Sequence, residues 1–419
     1  MTFDELGLHP DLLKAVHDLG FTRPTPIQEQ AIGPALSGKD LIGQAQTGTG
    51  KTAAFSLPIL HRIISGPHGA ARIRALILAP TRELAQQVMD DIKDHSKHTK
   101  VRSAVVYGGV GMNPQEVALK SGFEIIVATP GRLLDHMSRG YVKFNGLETL
   151  VLDEADRMLD MGFLPDLRRI LAQLPAQRQT MLFSATMPGE IQSLANQILK
   201  NPIKVSVESK QTAAVGITHA VYPVSQGLKT MLLLRLLKDL HGAMTSVLIF
   251  IRMKHNADRL QSALQREGYK VGVMHSNRTQ SQRTQALEQF REGRYQILVA
   301  TDIAARGLDI DGITHVINYD VPNTAEDYIH RVGRTARAQA IGDAFTLMSR
   351  EEEPVIRAVD FALGKPIPRV MLPDFPYHVI AHAGVILGRG PDRKEGGGFH
   401  GSRRPGGPGK SGPVGRRFR

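Results

Sequence analysis

The sequence has no cysteine and no tryptophan, and aromatic residues make up only 5% of its 419 positions. Without cysteine the chain can form neither disulfides nor thiolate metal sites. No run reaches the roughly 18 apolar residues that a membrane helix needs, because the best one, at 231–240, contains Arg235, Lys238 and Asp239. This run predicts a core helix instead. The first residues are acidic and lack a basic region followed by an apolar one, so we expect no secretory signal and a cytoplasmic protein.

Positive charge is concentrated at one end of the chain. The formal net charge is +12 and the sequence pI is about 9.8, which favours polyanionic partners. Residues 389–419 contain nine Lys or Arg and two acidic residues, so more than half of the excess lies there. This stretch is mostly Gly, Pro and Arg and buries too little apolar surface to offset the entropy of ordering. We therefore expect a basic, largely disordered tail over 374–419.

Short apolar runs alternate with stretches of helical period in both halves of the chain. They lie at 75–78, 124–128, 149–152 and 180–183, and again at 247–251, 270–274, 296–300 and 314–318. Such alternation is typical of parallel sheets flanked by helices, so it predicts an α/β fold. A stretch without a helical stripe, 201–216, separates the halves. We predict a first domain at 1–205, a linker at 206–216 and a second domain at 217–373.

The segment AQTGTGKT at 45–52 follows a strand-like run at 40–43 and leads into a helical stretch at 53–60. Glycines let backbone N–H groups approach phosphate oxygens, Lys51 supplies a positive charge and Thr52 can reach Mg²⁺. A strict phosphate-binding loop has Gly in place of Ala45. A Gly/Thr-rich turn with a purely structural role is the alternative interpretation.

Two acidic residues follow the apolar strand at 149–152. Asp153 and Glu154 would lie at the carboxyl edge of the sheet, where open α/β folds bind ligands. Asp153 can hold the hydration shell of Mg²⁺, and Glu154 can orient and deprotonate a water that attacks the γ-phosphate. The alternative is a solvated acidic turn.

The N-terminal segment at 20–28 combines an aromatic ring, two prolines and an amide. Phe21 could stack on a base, and the Gln28 amide can both donate to and accept from the edge of adenine. By itself this segment fits a Pro-rich turn that only caps a helix.

Taken in order, these segments resemble the motifs of the DEAD-box RNA helicases, from Phe3 to about Arg337, with the bacterial RhlE-like branch as the nearest match. The likeness implies two tandem RecA-like domains, and Ala45 is the usual residue at its position in that family. Segment 20–28 is similar to the adenine-reading Q motif, and 153–156 to the tetrapeptide that names the family. The resemblance assigns Ser184, Thr186 and Asp156 to the coupling of hydrolysis with strand separation.

The resemblance also implies a set of site residues in both halves. Arg334 and Arg337 would be arginine fingers, Asp309 would contact the ribose, and His330 would link to the acidic motif. The ATP-binding residues implied are Phe21, Arg23, Gln28, Ala45, Gln46, Thr47, Gly48, Thr49, Gly50, Lys51, Thr52 and Asp309. The RNA-binding residues implied are Pro80, Thr81, Arg82, Gly109, Thr129, Gly131, Arg132, Thr301 and Arg306. These small, hydroxyl and Arg residues can grip phosphates and 2′-hydroxyls without reading a base.

The sequence therefore predicts an ATP- and Mg²⁺-dependent RNA helicase that acts on single-stranded RNA or short duplexes. Two alternatives stay open, an RNA clamp or annealing chaperone with incidental turnover and a DNA-directed helicase or other P-loop ATPase. The chain departs from the common family pattern at Ala336, at Ser276 and at Ile251-Arg252, which puts fine RNA contacts of the second domain in doubt.

Overall fold

The computed structural model describes residues 1–45, 48–66, 73–207, 217–240, 242–305, 312–335 and 342–378. Within these ranges the strands form two separate sheets, one in each half of the chain, and all strand pairs within them are parallel. None of the helices in these ranges is long and apolar enough to cross a bilayer.

The first sheet has seven strands in the described residues. They are β1 (Leu41–Gln44), β2 (Ala75–Leu78), β3 (Ser103–Val106), β4 (Ile125–Ala128), β5 (Thr149–Leu152), β6 (Gln179–Ser184) and β7 (Ile203–Ser206). Their order across the sheet is β3-β4-β2-β5-β6-β1-β7. The central strands β2, β4 and β5 are buried at every position, because helices cover both faces of the sheet.

Nine helices accompany the first sheet in the described residues. They are α1 (Pro10–Asp18), α2 (Pro26–Leu36), α3 (Lys51–Ser65), α4 (Arg82–His95), α5 (Met112–Lys120), α6 (Pro130–Ser138), α7 (Ala155–Asp160), α8 (Leu164–Leu171) and α9 (Gly189–Ile198). One core lies on each face of the sheet, with Phe55 and Phe183 in the first and Leu150 and Leu152 in the second. Parallel strands must be joined by crossover connections, which these helices provide, and the helices bury an apolar stripe against the sheet.

The second sheet has six strands in the described residues, in the order β10-β11-β9-β12-β13-β8. They are β8 (Ile217–Pro223), β9 (Val247–Phe250), β10 (Val271–Met274), β11 (Ile297–Ala300), β12 (His315–Asn318) and β13 (Gly342–Met348). The helices are α10 (Lys229–Asp239), α11 (Lys254–Arg266), α12 (Gln280–Arg291), α13 (Asp302–Ala305), α14 (Ala325–Val332) and α15 (Glu353–Leu363). The two halves therefore repeat one architecture, as the sequence pattern predicts.

All eight apolar runs that predict strands form strands, with ends within one residue of the prediction. The predicted core helix at 231–240 corresponds to α10, which ends one residue earlier, at Asp239. Strand β7 falls inside the stretch 201–216, yet it pairs with β1 and belongs to the first sheet. Residues 208–216 of the predicted linker and residues 379–419 of the predicted tail lie outside the described residues. The boundary at 373 stays a prediction, and packing on a core of the second half of the chain continues to Phe375 and Tyr377.

Candidate active site

The loop between β1 and α3 adopts a conformation that glycine favours. Gly48 and Gly50 have φ of 84° and 87°, in the left-handed region where a side chain is strained. A Cβ on Gly50 would also collide with the Gln28 amide. Lys51 is buried at the start of α3, and its Nζ donates to the carbonyl oxygen of Ala45 at 3.0 Å. The hydrogen bond thus joins Ala45, directly after β1, to the first residue of α3.

The Q-motif-like segment is attached directly to this loop. The Thr25 hydroxyl donates to the Thr49 carbonyl at 2.8 Å, and Gln28 Nε2 donates to the Gly50 carbonyl at 3.0 Å. Gln28 Oε1 accepts from the Thr25 backbone N–H at 2.9 Å, which completes a capping box at the start of α2. The structure therefore places Gln28 as a helix cap and a loop contact at once.

A cavity of about 230 Å³ opens above the loop. The predicted residues that border it are Phe21, Gln28, Gly48, Gly50, Lys51, Thr52, Asp153 and Glu154. Arg23 is exposed and is not among the residues that border it. The cavity also has a wall that the sequence analysis missed, formed by Gln87, Asp91 and His95 on α4. Their spacing of four residues places them on one face of α4, and this spacing is the sequence pattern that could have identified them.

Asp153 and Glu154 follow β5 at the carboxyl edge of the sheet, and both are buried. Glu154 has φ of 50°, an uncommon conformation for a residue other than glycine, which is typical of functional sites. Burial raises the pKa of Asp153 to about 7, although the charge of Lys51 opposes the shift. A buried carboxylate of this kind near the Thr52 hydroxyl supplies hard oxygen donors suited to Mg²⁺. These residues therefore fit a Mg²⁺ site.

Asp156 connects α7 to the end of β6. Its Oδ2 accepts from the backbone N–H of Ala185 at 3.1 Å and of Thr186 at 2.8 Å, and from the Thr186 hydroxyl at 3.1 Å. Its own N–H donates to the Ser184 hydroxyl at 3.1 Å. The structure thus brings together the three residues that the resemblance assigns to coupling.

The second domain contributes His330 and Arg334 to the same region. Arg334 is buried, and burial followed by the charge of Arg157 lowers its pKa to about 10, while Glu154 opposes the shift. Burial and then Arg157 lower the pKa of His330 to about 4. Both side chains border a small cavity with Arg157 of α7, which pairs with Glu154, so the two domains meet beside the acidic pair. Arg157 was missed by the sequence analysis, although it follows the tetrapeptide directly.

The predicted RNA contacts of the first domain border a second cavity, of about 320 Å³. These residues are Pro80, Thr81, Arg82, Thr129, Gly131 and Arg132. Gly109 lies against Arg82, since a Cβ there would collide with its guanidinium group. The second domain adds Ser276, Arg283 and Ala304 to the border, so the cavity is a groove shared by both domains. Thr301 directly follows β11 and is not among the bordering residues.

An ion pair that the sequence analysis missed joins the domains beside this groove. Arg283 on α12 lies 2.9 Å from Glu83 Oε1 on α4, and both side chains are largely buried. Gln280 Nε2 donates to the same oxygen at 3.0 Å. These residues are about two hundred positions apart, so no local spacing could have revealed the contact.

Five predicted site residues lie outside the described residues, namely Gln46, Thr47, Arg306, Asp309 and Arg337, as does the departure at Ala336. Of the other departures, Ser276 is exposed at the groove and Ile251 is buried. The Arg252 guanidinium donates to the Val321 carbonyl at 2.8 Å, so it supports its own domain.

The comparisons with known proteins agree with this geometry. A model of the DEAD/DEAH box helicase family matches residues 25–194, and a model of the helicase conserved C-terminal domain matches residues 228–339. The chain is 46% identical to the ATP-dependent RNA helicase CshA of Listeria monocytogenes, over 85% of this chain and 68% of the relative. It is 43% identical to the DEAD-box ATP-dependent RNA helicase CshA of Bacillus subtilis, over 89% and 74%. Its structure is similar to that of S. cerevisiae Dbp5 bound to RNA and ADP BeF3, with a TM-score of 0.78, 34% identity and coverage of 88% and 95%.

Proposed function

This chain belongs to the DEAD-box ATP-dependent RNA helicases, and we propose that it uses ATP hydrolysis to unwind or remodel short RNA duplexes or ribonucleoproteins. One observation carries this function. Lys51 and the acidic pair Asp153 and Glu154 line one cavity of the first domain, and Arg334 of the second domain interacts with Glu154. Hydrolysis of ATP needs both sets of groups, which meet only when the domains are together.

In this proposal, the residues around the nucleotide cavity have separate roles in phosphoryl transfer. Lys51 and the backbone N–H groups of the loop bind the phosphates, and Glu154 orients and deprotonates the attacking water. Arg334, with Arg337, stabilises negative charge that spreads over the γ-phosphate in the transition state. Thr52 and Asp153 would hold Mg²⁺, which neutralises phosphate charge when bound.

Recognition of the base and sugar is assigned to the edge of the same cavity. Phe21 is 40% exposed and stacks on Phe3 with ring centroids 6.4 Å apart, which leaves its outer face available to adenine. Gln28 already accepts from Thr25 and donates to Gly50. Its amide would use its second hydrogen and its second oxygen lone pair to bind the adenine edge. Arg23 would support this edge, and Asp309 would contact the ribose.

Coupling between hydrolysis and RNA is proposed to pass through Asp156. Its carboxylate fixes the backbone of Ala185 and Thr186, while His330 lies close enough to interact with Asp156 from the second domain. A change at the phosphate therefore reaches the end of β6 and the second domain together. Each ligand then favours the closed arrangement, in which the two domains contact each other across the cavity, so ATP and RNA bind cooperatively.

The RNA groove is proposed to read the backbone and not the bases. It combines the Arg132 guanidinium, whose Nε and Nη1 are buried without a hydrogen bond in the described structure, with the hydroxyl of Thr129 and the backbone of Gly131. Such groups suit phosphates and 2′-hydroxyls, so binding should be independent of sequence. Thr301 and Arg306 would add contacts from the second domain.

Finer assignments also belong to this proposal. We place the chain in the RhlE-like branch on its motifs, although the two bacterial relatives above carry the name CshA. We propose a cytoplasmic site of action, with ribosomal or RNA-decay assemblies as partners. An RNA clamp with incidental turnover is the weaker candidate, because a clamp needs no water-activating carboxylate.

A steady-state ATPase assay with RNA, with DNA of the same sequence and without nucleic acid tests the function. We expect strong stimulation by RNA, little by DNA and slow turnover alone, because the arginine of the second domain must be brought to the phosphate. Equal turnover in all three conditions would exclude RNA coupling. RNA binding without stimulated turnover would support the clamp.

A further inference from the structure

Arg157 is a buried cation at the boundary of the two domains. It lies in α7, its side chain is 6% exposed, and its Nε is 3.3 Å from Glu154 Oε2. Its backbone N–H donates to Asp156 Oδ1 at 3.1 Å. Its Nη2 is buried and makes no hydrogen bond with any residue that the structure describes. One end of the guanidinium group is therefore unsatisfied in the closed arrangement.

The groups that surround Arg157 come mostly from the second domain. It shares the border of a cavity of about 20 Å³ with Asp302, Asp327, His330, Arg331 and Arg334. This volume suffices for about one water molecule. Asp302 is already bound by Arg331 through contacts of 2.6 and 2.7 Å, so its negative charge is matched within the second domain. Asp302 thus offers Arg157 little new compensation when the domains meet.

When the two domains close on each other, the environment of the Arg157 charge becomes less favourable. The pair with Glu154 is internal to the first domain, so it contributes whether the domains are apart or together. Closing removes Arg157 from water and sets it near Arg334, a second buried cation. Burying a charge without a new partner costs free energy, and like charges in a low dielectric add to that cost. Burial lowers the pKa of Arg334, and the charge of Arg157 lowers it further.

We propose that Arg157 makes closure of the two domains conditional on a nucleoside triphosphate. In an empty cleft, the buried charge of Arg157 beside Arg334 disfavours the closed arrangement. Glu154, which pairs with Arg157, borders the nucleotide cavity, so a terminal phosphate bound there would bring negative charge close to Arg157 and turn the same arginine into an attractive group. Arg157 is thus a positioning residue for the closed state and acts through the charges of Glu154 and Arg334. This inference rests on the proposed function, because it assumes that ATP binds in this cleft.

The test is RNA affinity of the full chain, measured without nucleotide and with ADP–beryllium fluoride and Mg²⁺, for wild type and Arg157→Gln. Gln removes the charge and keeps a polar group. We expect nucleotide-free RNA affinity to rise by roughly tenfold and the enhancement by ADP–beryllium fluoride to shrink by a similar factor, since coupling between ligands is commonly of this size.

Two control variants separate charge from other effects. Arg157→Lys keeps the charge and should retain most of the enhancement. Arg169→Gln removes an arginine of α8 that is 68% exposed and should leave both affinities unchanged. Arg334→Gln relieves the same repulsion from the second domain and should also raise nucleotide-free RNA affinity, which keeps the test decisive if Arg157→Gln does not fold.

The outcomes distinguish this inference from the proposed function. If wild type shows the enhancement and neither Arg157→Gln nor Arg334→Gln changes nucleotide-free RNA affinity, the charge of Arg157 does not control closure and the inference is wrong. If wild type shows no RNA binding that depends on ADP–beryllium fluoride, the proposed function itself fails.

Discussion

At the scale of single residues, Glu154 is the group on which we propose that hydrolysis depends most directly. It is buried, it has φ of 50°, and it lies at the border of the cavity above the phosphate-binding loop. A strained and desolvated carboxylate is held by its surroundings and not by its own preference. Its position is fixed by β5 before it and α7 after it.

Glu154→Gln should slow ATP turnover and leave ATP and RNA binding intact. The amide cannot accept the proton of the attacking water, and loss of a general base commonly costs about 10²- to 10⁴-fold in rate. Steady-state ATPase and nucleotide binding at saturating RNA measure the two effects. Glu190→Gln, on the exposed first turn of α9, is the matched control and should turn over normally. Wild-type turnover in Glu154→Gln would remove Glu154 from the mechanism.

Gln28→Ala should narrow the preference for ATP over GTP. The amide suits the donor and acceptor pattern of adenine and meets the reversed pattern on guanine. The same change removes the capping box of α2 and the contact with Gly50, so affinity for both nucleotides should also fall. Gln30→Ala, on the exposed side of the same helix, is the control. If the ATP and GTP kinetics of wild type are already equal, Gln28 does not read the base.

At the scale of elements, the continuously buried strands were predictable, whereas the exposed edge strand β7 was not. Strands such as β5 are covered on both faces, so their sequences are continuous apolar runs bounded by turns. Strand β7 lies at the sheet edge with three of its four residues exposed, so it carries no such run. The loop at 45–52 that we propose to bind phosphate is contiguous in sequence, so its pattern could be recognised, whereas the pair of Glu83 and Arg283 depends on how two domains dock.

Gly109→Ala should weaken RNA binding through Arg82. Gly109 has φ of 79°, and an added Cβ would collide with the Arg82 guanidinium, which must then leave its place in the groove. Gly140→Ala is the matched control, because Gly140 has φ of 71° and open space around its Cβ position. Equal RNA affinities of the two variants in a titration would show that Arg82 does not depend on Gly109. ATPase without RNA should be unchanged in both.

At the scale of the whole molecule, the basic tail should add affinity without adding sequence preference. A polycationic segment attracts RNA by counterion release, so its contribution falls as salt rises. A chain ending at Leu387 should bind RNA more weakly at low salt and with a shallower salt dependence. ATPase at saturating RNA should barely change, because the proposed catalytic residues precede the cut. Superimposable binding curves for the two chains across a salt series would leave the tail without a role in RNA binding.

The central claim is that ATP and RNA together bring the two domains into the closed arrangement. The chain has no cysteine, so Gln197→Cys and Gln265→Cys introduce one exposed labelling site on each domain. Energy transfer between dyes at these sites reports the separation of the domains in solution. We predict a shift to the closed value only when RNA and ATP, or RNA and ADP–beryllium fluoride, are both present. The same shift with either ligand alone, or no shift with both, would contradict the account.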